Sequence, residues 1–452
     1  MKVDITSAQC YTKNMNTPWS VIQKLESNNS RLHKEGVIAV EARAGNGEFF
    51  AGIRMALDNF ETFGIKQVPE HAGPDGAGLS WPVFNGVAQQ LINRQLTGNA
   101  ARDAVNALMQ RATQTQWNGW YRRILIKDLR CGVTEKTVNT VAKKALRPLY
   151  MIPVFECQLA HDSKNHEGKV RGRKQLEVKL DGVRVITIVY PDGRVNMFTR
   201  NGKELQNFPH IVTQMQQMAQ SMEHAWVFDG EVMSASFQDL MRQVHRKSNV
   251  QSQDAVLYLF DNLSLEEFRS GRSDTPQQVR SQVLQTWYAE FESVLPNVKI
   301  LDWCTVDLDT EAGRQQFNAI NRQAIAGGYE GIMMKDVNAG YECKRSTHWL
   351  KLKPVITLDL TVTAVEEGTG KNAGRLGALI CEGEDAGKKI QVNVGSGFAD
   401  DERDQIWQDR RIVIGQIVEV KADAVTQNQD GTYSMRFPRF ERWRGFTPGE
   451  KI

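Results

Sequence analysis

Glu177-Val178-Lys179-Leu180-Asp181-Gly182-Val183-Arg184 is the stretch on which the reading of this chain turns. A lysine stands where an extended run, 176–180, meets a tight Asp-Gly pair. Carboxylates lie two residues to either side of it, and an arginine lies five residues on. The run 185–190 is nearly all β-branched and apolar, Pro191-Asp192-Gly193 supplies a turn, and 195–199 returns as a hairpin partner. A lysine amine is a nucleophile only when neutral, and near neutral pH roughly one part in a thousand is neutral at an ordinary pKa of about 10.4. A site that uses it must favour the neutral amine through nearby cations, desolvation or a metal. Taken alone, so short a string describes a surface lysine in a charged hairpin at least as well as a nucleophile.

Working outward, the segment 151–355 mixes such strands with helical patterns at 276–291 and 310–326, which predicts an α+β domain built on antiparallel sheets. The segment 1–150 reads as helical. Ala101, Val105, Leu108, Met109 and Ala112 mark one helix face, and Val138, Val141, Ala142 and Ala145 mark another, with Thr134 as its cap and Pro148 closing it. In 356–452 the period-2 runs 358–365, 389–394 and 412–422 are separated by Gly- and Asp-rich turns, as in a small β-barrel of the OB-fold kind. The fold class expected is therefore multidomain: an α-helical N-terminal domain, an α+β core and a C-terminal OB-fold barrel.

A chain of 452 residues has room for two to four domains, and none of its apolar runs approaches the roughly 20 residues of a membrane span. The opening MKVDITSAQCYTKN lacks the apolar core of a secretory peptide, so a cytoplasmic location is expected. The six cysteines, Cys10, Cys131, Cys157, Cys304, Cys343 and Cys381, are scattered without a C-x-x-C pair and read as reduced thiols. Net charge is only +3, yet the segment 98–150 is locally basic. It carries Arg102, Arg111, Arg122, Arg123, Lys127, Arg130, Lys136, Lys143, Lys144 and Arg147 against Asp103, Asp128 and Glu135. Trp117, Trp120 and Tyr121 interleave with these charges and read as core.

The Lys179 stretch resembles motif I of the covalent nucleotidyltransferases, namely ATP-dependent DNA ligases, RNA ligases and mRNA-capping enzymes. Segments resembling the remaining motifs follow in order. They are Thr199-Arg200-Asn201-Gly202, Phe228-Asp229-Gly230-Glu231, Leu259-Phe260-Asp261, Glu330-Gly331-Ile332-Met333-Met334-Lys335 and Trp349-Leu350-Lys351-Leu352-Lys353. The resemblance implies that Lys179 attacks the nucleotide α-phosphate, releasing pyrophosphate. It further implies that Glu177 reads the adenine edge and that Phe260 stacks on the base. Arg184 and Arg200 would meet ribose or phosphate, and Arg345 the nucleotide. Glu231 and Glu330 would face Mg²⁺, with Glu231 also at the ribose. Lys351 and Lys353, alternating along a strand, would flank the α-phosphate.

The flanks favour a DNA ligase of the bacteriophage and eukaryotic type. Leu96-Thr97-Gly98-Asn99-Ala100 and Leu129-Arg130-Cys131-Gly132 resemble the DNA-binding domain of those ligases. Gly395-Ser396-Gly397-Phe398 and the 434–440 segment Ser-Met-Arg-Phe-Pro-Arg-Phe resemble their OB domain. One departure is that Arg442-Trp443-Arg444 runs into Gly445-Phe446-Thr447-Pro448 without the acidic-then-lysine tail of many relatives. The resemblance implies ATP as AMP donor, Mg²⁺, and nicked duplex DNA clamped by a monomer, in replication, repair and recombination. A hinge is expected near 354–356. The alternatives are an RNA ligase or capping-type enzyme using the same lysine, or a catalytically silent DNA-binding scaffold. A NAD⁺-dependent ligase is disfavoured by the absence of a cysteine–zinc module.

Overall fold

The computed structural model describes residues 16–65, 67–234, 254–428 and 430–447. Cys10, the rest of the opening 14 residues and Pro448 lie outside them. The described residues divide into two compact units. One holds 1–159, 182–301 and 337–348; the other holds 160–181, 302–336 and 349–452.

The first unit begins with helices, among them Arg31–Ala44, Gly47–Leu57, Trp81–Ile92, Gly98–Arg111 and Glu135–Lys144. The expected faces are the buried ones: Ala101, Val105 and Leu108 on one helix, Val138, Val141 and Ala142 on another. Thr134 does stand at the N-cap, but its side chain makes no cap bond; its hydroxyl meets that of Thr137. Trp117, Trp120 and Tyr121 are almost wholly buried and centre the helical core. Lys127 also turns inward, its Nζ donating to the Met55 and Asp58 carbonyls at 2.9 and 2.8 Å. Burial pulls this lysine down from 10.5 to about 8, against the opposing pull of Asp58 and Glu61. Because the folded state binds this proton less readily, stability from this group rises as pH climbs from about 8 to 10.5. Lys127→Met is expected to remove that rise, a difference on the order of 3 kcal/mol across the window, measurable by urea denaturation at both ends.

The same unit carries a six-stranded sheet in the order Glu204–Leu205, Val195–Thr199, Val183–Val189, Trp226–Met233, Val256–Ser264, Val298–Ile300. All its pairs are antiparallel except the last, which is parallel. Helices Pro209–Gln216 and Gln277–Phe291 supply Ile211, Met215 and Leu284 to its core. The helical region is tied to the sheet by rings: Phe60 lies 5.1 Å from Phe155 and 6.0 Å from Phe268, and Phe155 lies 5.1 Å from Phe198.

A five-stranded sheet, all but Leu159 and 345–348 of it in the second unit, runs Leu159–Asp162, Arg345–Leu352, Ile332–Asp336, Arg173–Val178, Trp303–Asp307. The extended run before Lys179 thus starts earlier than the sequence suggested and ends at Val178. Helix Glu311–Ala326 is capped by Thr310, whose hydroxyl accepts from the Gly313 N–H, and it packs Phe317 and Ile320 on Leu176, Met334 and Leu350. The C-terminal strands form a seven-stranded sheet. Its order is Ala424–Gln427, Tyr433–Arg436, Lys388–Val394, Leu376–Asp385, Ile356–Glu367, Ile417–Ala422, Arg439–Gly445. Among the described residues its ladder runs as an open series. The strand expected at 412–422 begins only at Ile417, because a 3₁₀ turn at Arg410–Ile412 and Gly415 (φ +87°) precede it. Cys131, Cys157, Cys304, Cys343 and Cys381 are thiols, none in a disulfide.

Candidate active site

Directly opposed residues of an antiparallel ladder point to the same face. The second unit's five-stranded sheet uses this rule to gather charge. Glu177 faces Met333, which faces Lys351; Gln175 faces Lys335, which faces Trp349. Just past the last paired residue, the Lys179 N–H donates to the Gly331 carbonyl at 2.8 Å, and the Glu330 N–H to the Lys179 carbonyl at 3.0 Å. With Ile332 opposite Leu352, alternation puts Lys353 in the same row as Gly331 and Lys179. Glu177, Lys179, Lys335, Lys351 and Lys353 therefore share one face, while Leu176, Met334 and Leu350 take the other, under the helix.

Gly331 is what lets the row close. Its φ is +137°, and a Cβ there would stand 2.1 Å from the Leu352 carbonyl oxygen. Gly331→Ala is expected to cost about 3 kcal/mol or more through left-handed strain and this backbone clash, read as a lowered thermal midpoint.

At the end of the row Lys179 Nζ donates to Glu330 Oε2 and, at 3.4 Å, to the Leu180 carbonyl. Lys353 Nζ donates to Glu330 Oε1 and lies 3.4 Å from Asp423 Oδ2. One carboxylate thus sits between two ammonium groups, all three side chains mostly buried.

Glu177 is nearly enclosed, and its Oε1 takes Lys335 Nζ at 2.8 Å and Gln175 Nε2 at 2.6 Å. Asp181 is gripped by Arg436 through Nη1 and Nη2, at 2.5 and 2.8 Å. Burial works against the Asp181 charge, but the Arg436 bond and charge outweigh it and hold this carboxyl below its ordinary value. Asp423 also takes Arg439, at 3.2 Å. Of the other late arginines, Arg442 and Arg444 are bound to Glu419.

In the first unit, Arg184 makes a two-pronged pair with the fully buried Asp229, at 2.9 and 2.5 Å. Tyr341 donates its hydroxyl to the same carboxylate at 2.7 Å, and burial pushes that phenol well above its usual value. The Phe260 ring centroid lies 5.5 Å from the Arg184 guanidinium carbon. Glu231 stands opposite Arg184 on the adjacent strand, and its Oε1 accepts the Gly182 N–H at 2.7 Å. Gly182 has no room for a side chain, since a Cβ would lie 2.3 Å from the Val232 carbonyl oxygen. Arg200 is exposed in the turn that joins Thr199 to Lys203. Arg345 is exposed at the head of its strand.

Of the residues singled out from sequence, Lys179, Glu177, Glu330, Lys351 and Lys353 are brought together on the second unit. Arg184, Glu231 and Phe260 gather on the first, which also carries Arg200 and Arg345. Sequence reasoning did not single out Gln175, Lys335, Asp423, Arg436 or Asp229. Lys335 had a usable signal, since two-residue alternation from Met333 puts it on the face of Glu177.

Residues 157–353 match the family model described as ATP dependent DNA ligase domain, and 367–444 match the DNA ligase OB-like domain. A DNA ligase of Haloarcula marismortui is 27% identical over 410 residues, covering 75% of this chain and 70% of the relative. A probable DNA ligase of Pseudarthrobacter chlorophenolicus is 30% identical over 306 residues, covering 60% of this chain and 56% of the relative. A solved structure named Pmar-Lig_PreS3 is 50% identical and covers 95% of this chain and 99% of its own, with a TM-score of 0.67. The chain belongs to the ATP-dependent DNA ligases, enzymes that join DNA with ATP. No helix among the described residues is long and apolar enough to cross a membrane.

Proposed function

We propose that this ligase seals 3′-hydroxyl/5′-phosphate nicks in duplex DNA through AMP carried on Lys179. The observation that carries the reading is the row of Lys179, Gly331 and Lys353 with Glu330 bridging the two amines. Glu330 aims Lys179 and takes up its charge until ATP is bound. Lys353 and Lys351 then face the α-phosphate and stabilise the negative charge that develops there. Lys179 attacks the α-phosphorus, its N–P bond forms as the bond to pyrophosphate breaks, and its proton leaves the amine. The AMP passes to the 5′-phosphate of the nick, whose 3′-hydroxyl then displaces it. Glu177 reads the adenine edge, Phe260 stacks on the base, and Arg184, Arg200 and Arg345 serve ribose or phosphate.

No group of three or more His, Cys, Asp and Glu side chains arranged for a metal occurs among the described residues. Mg²⁺ commonly takes one or two carboxylates and completes its shell with substrate phosphates and water. Glu330, with Glu231, would hold it, and when bound it supplies charge neutralisation at the phosphates.

In this reading 1–150 holds duplex without reading sequence, 151–355 carries the transfer and 356–452 closes during adenylation, moving about 354–356. Arg102, Arg111, Arg130, Lys136, Lys143, Lys144 and Arg147 are exposed and suited to phosphate contact, whereas Arg122 and Arg123 are turned to Val68, Glu26 and Leu129. The chain would act as a monomer clamped on DNA. The test is transfer of label from α-labelled ATP to protein and then to a nicked duplex, with mass mapping of the adduct. Label on a lysine other than Lys179, or transfer only to RNA ends or from GTP, overturns the reading.

A further inference from the structure

We infer that Lys335, with Gln175, is a positioning residue that fixes the charge and direction of Glu177 and thereby sets the choice of adenine over guanine. The inference rests on the reading of Glu177 as the residue that meets the base.

The Glu177 carboxylate and the Lys335 ammonium are 2.8 Å apart, with side chains 2% and 1% exposed. A carboxylate so enclosed keeps its charge only beside a counter-charge; otherwise it takes up a proton. Lys335 is itself fixed from behind, its Nζ lying 4.6 Å from the centroid of the Trp349 ring. Gln175 adds a second donor to the same oxygen, Oε1, at 2.6 Å. The strand ladder makes this arrangement rigid: Lys335 stands between Gln175 on one neighbour and Trp349 on the other. Among the described residues the buried Gln175 Oε1 has no hydrogen-bond donor.

Adenine presents an amino group where guanine presents a carbonyl oxygen. An ionised carboxylate only accepts, so it bonds the amine and repels the carbonyl. A protonated carboxyl can donate and would tolerate guanine. By holding Glu177 charged, Lys335 makes it a discriminating acceptor without touching the base.

The test uses the full chain and compares rates of protein–AMP and protein–GMP formation from ATP and GTP. Lys335→Met is expected to raise KM for ATP, leave kcat for adenylation little changed and lower ATP-over-GTP preference by about 100-fold. Lys335→Arg, which keeps the charge, should recover most of the preference. A folded Lys335→Met with unchanged preference overturns the inference. Glu177→Gln separates the two readings: if it also leaves preference unchanged, the base-reading role of Glu177 has failed; if it lowers preference while Lys335→Met does not, only the Lys335 inference has failed. Should Lys335→Met fail to fold, Glu177→Gln with Lys335→Met removes both charges at once. Preference equal to that of Glu177→Gln alone supports action through Glu177, and a further fall overturns it.

Discussion

Lys179→Ala is expected to abolish transfer of label from α-labelled ATP to the protein, a loss of at least about a thousandfold, with the fold intact. The structure says why the fold survives. Glu330 remains bonded to Lys353, so removing Lys179 leaves no carboxylate without a counter-charge. Thermal midpoints should therefore move little while the adduct disappears. Lys179→Arg sharpens the experiment: it keeps the ion pair with Glu330, but a guanidinium is not deprotonated near neutral pH and cannot attack. Both variants should still seal a nick whose 5′ end already carries AMP, more slowly but measurably. Persistent labelling of either variant would remove Lys179 from the reaction.

Asp229→Ala carries the largest expected cost in stability, about 3–5 kcal/mol. It strips the Arg184 guanidinium of its two-pronged partner and the Tyr341 hydroxyl of its acceptor in one step. Urea denaturation reads the loss. The same pair separates two roles for Arg184. The double replacement Arg184→Met with Asp229→Leu removes both charges and should regain most of the lost stability. If Arg184 also serves the nucleotide, that refolded double variant stays slow in adenylation with a raised KM for ATP. Full adenylation by the double variant would restrict Arg184 to holding the sheet.

The order of elements was legible because each periodicity is local. The 195–199 hairpin strand and the helix faces around Val105 and Val138 follow from spacing alone. What spacing could not supply was which charges neutralise one another. Arg184 resembled a phosphate contact, yet Asp229, fully buried on the adjacent strand, holds it; burial of an acid is invisible until the sheet is assembled. Lys127 was counted with the basic surface although its amine points inward to two carbonyls. Arg436 and Asp181 are 255 residues apart, a distance over which no pattern in the chain announces contact. The order of strands in the seven-stranded ladder likewise depends on strand pairing and not on strand content.

The two-faced strand Arg173–Val178 makes the enzyme sensitive to length as well as to chemistry. One residue inserted within it would exchange the faces downstream, sending Lys179 toward the side of Met334 and Leu350 and Val178 toward Glu330. Substitutions along this strand could accumulate singly over a lineage, but insertions and deletions could not. The Pro191-Asp192-Gly193 turn, a dozen residues on and exposed in part, has no such constraint and is where the chain can lengthen without moving Lys179.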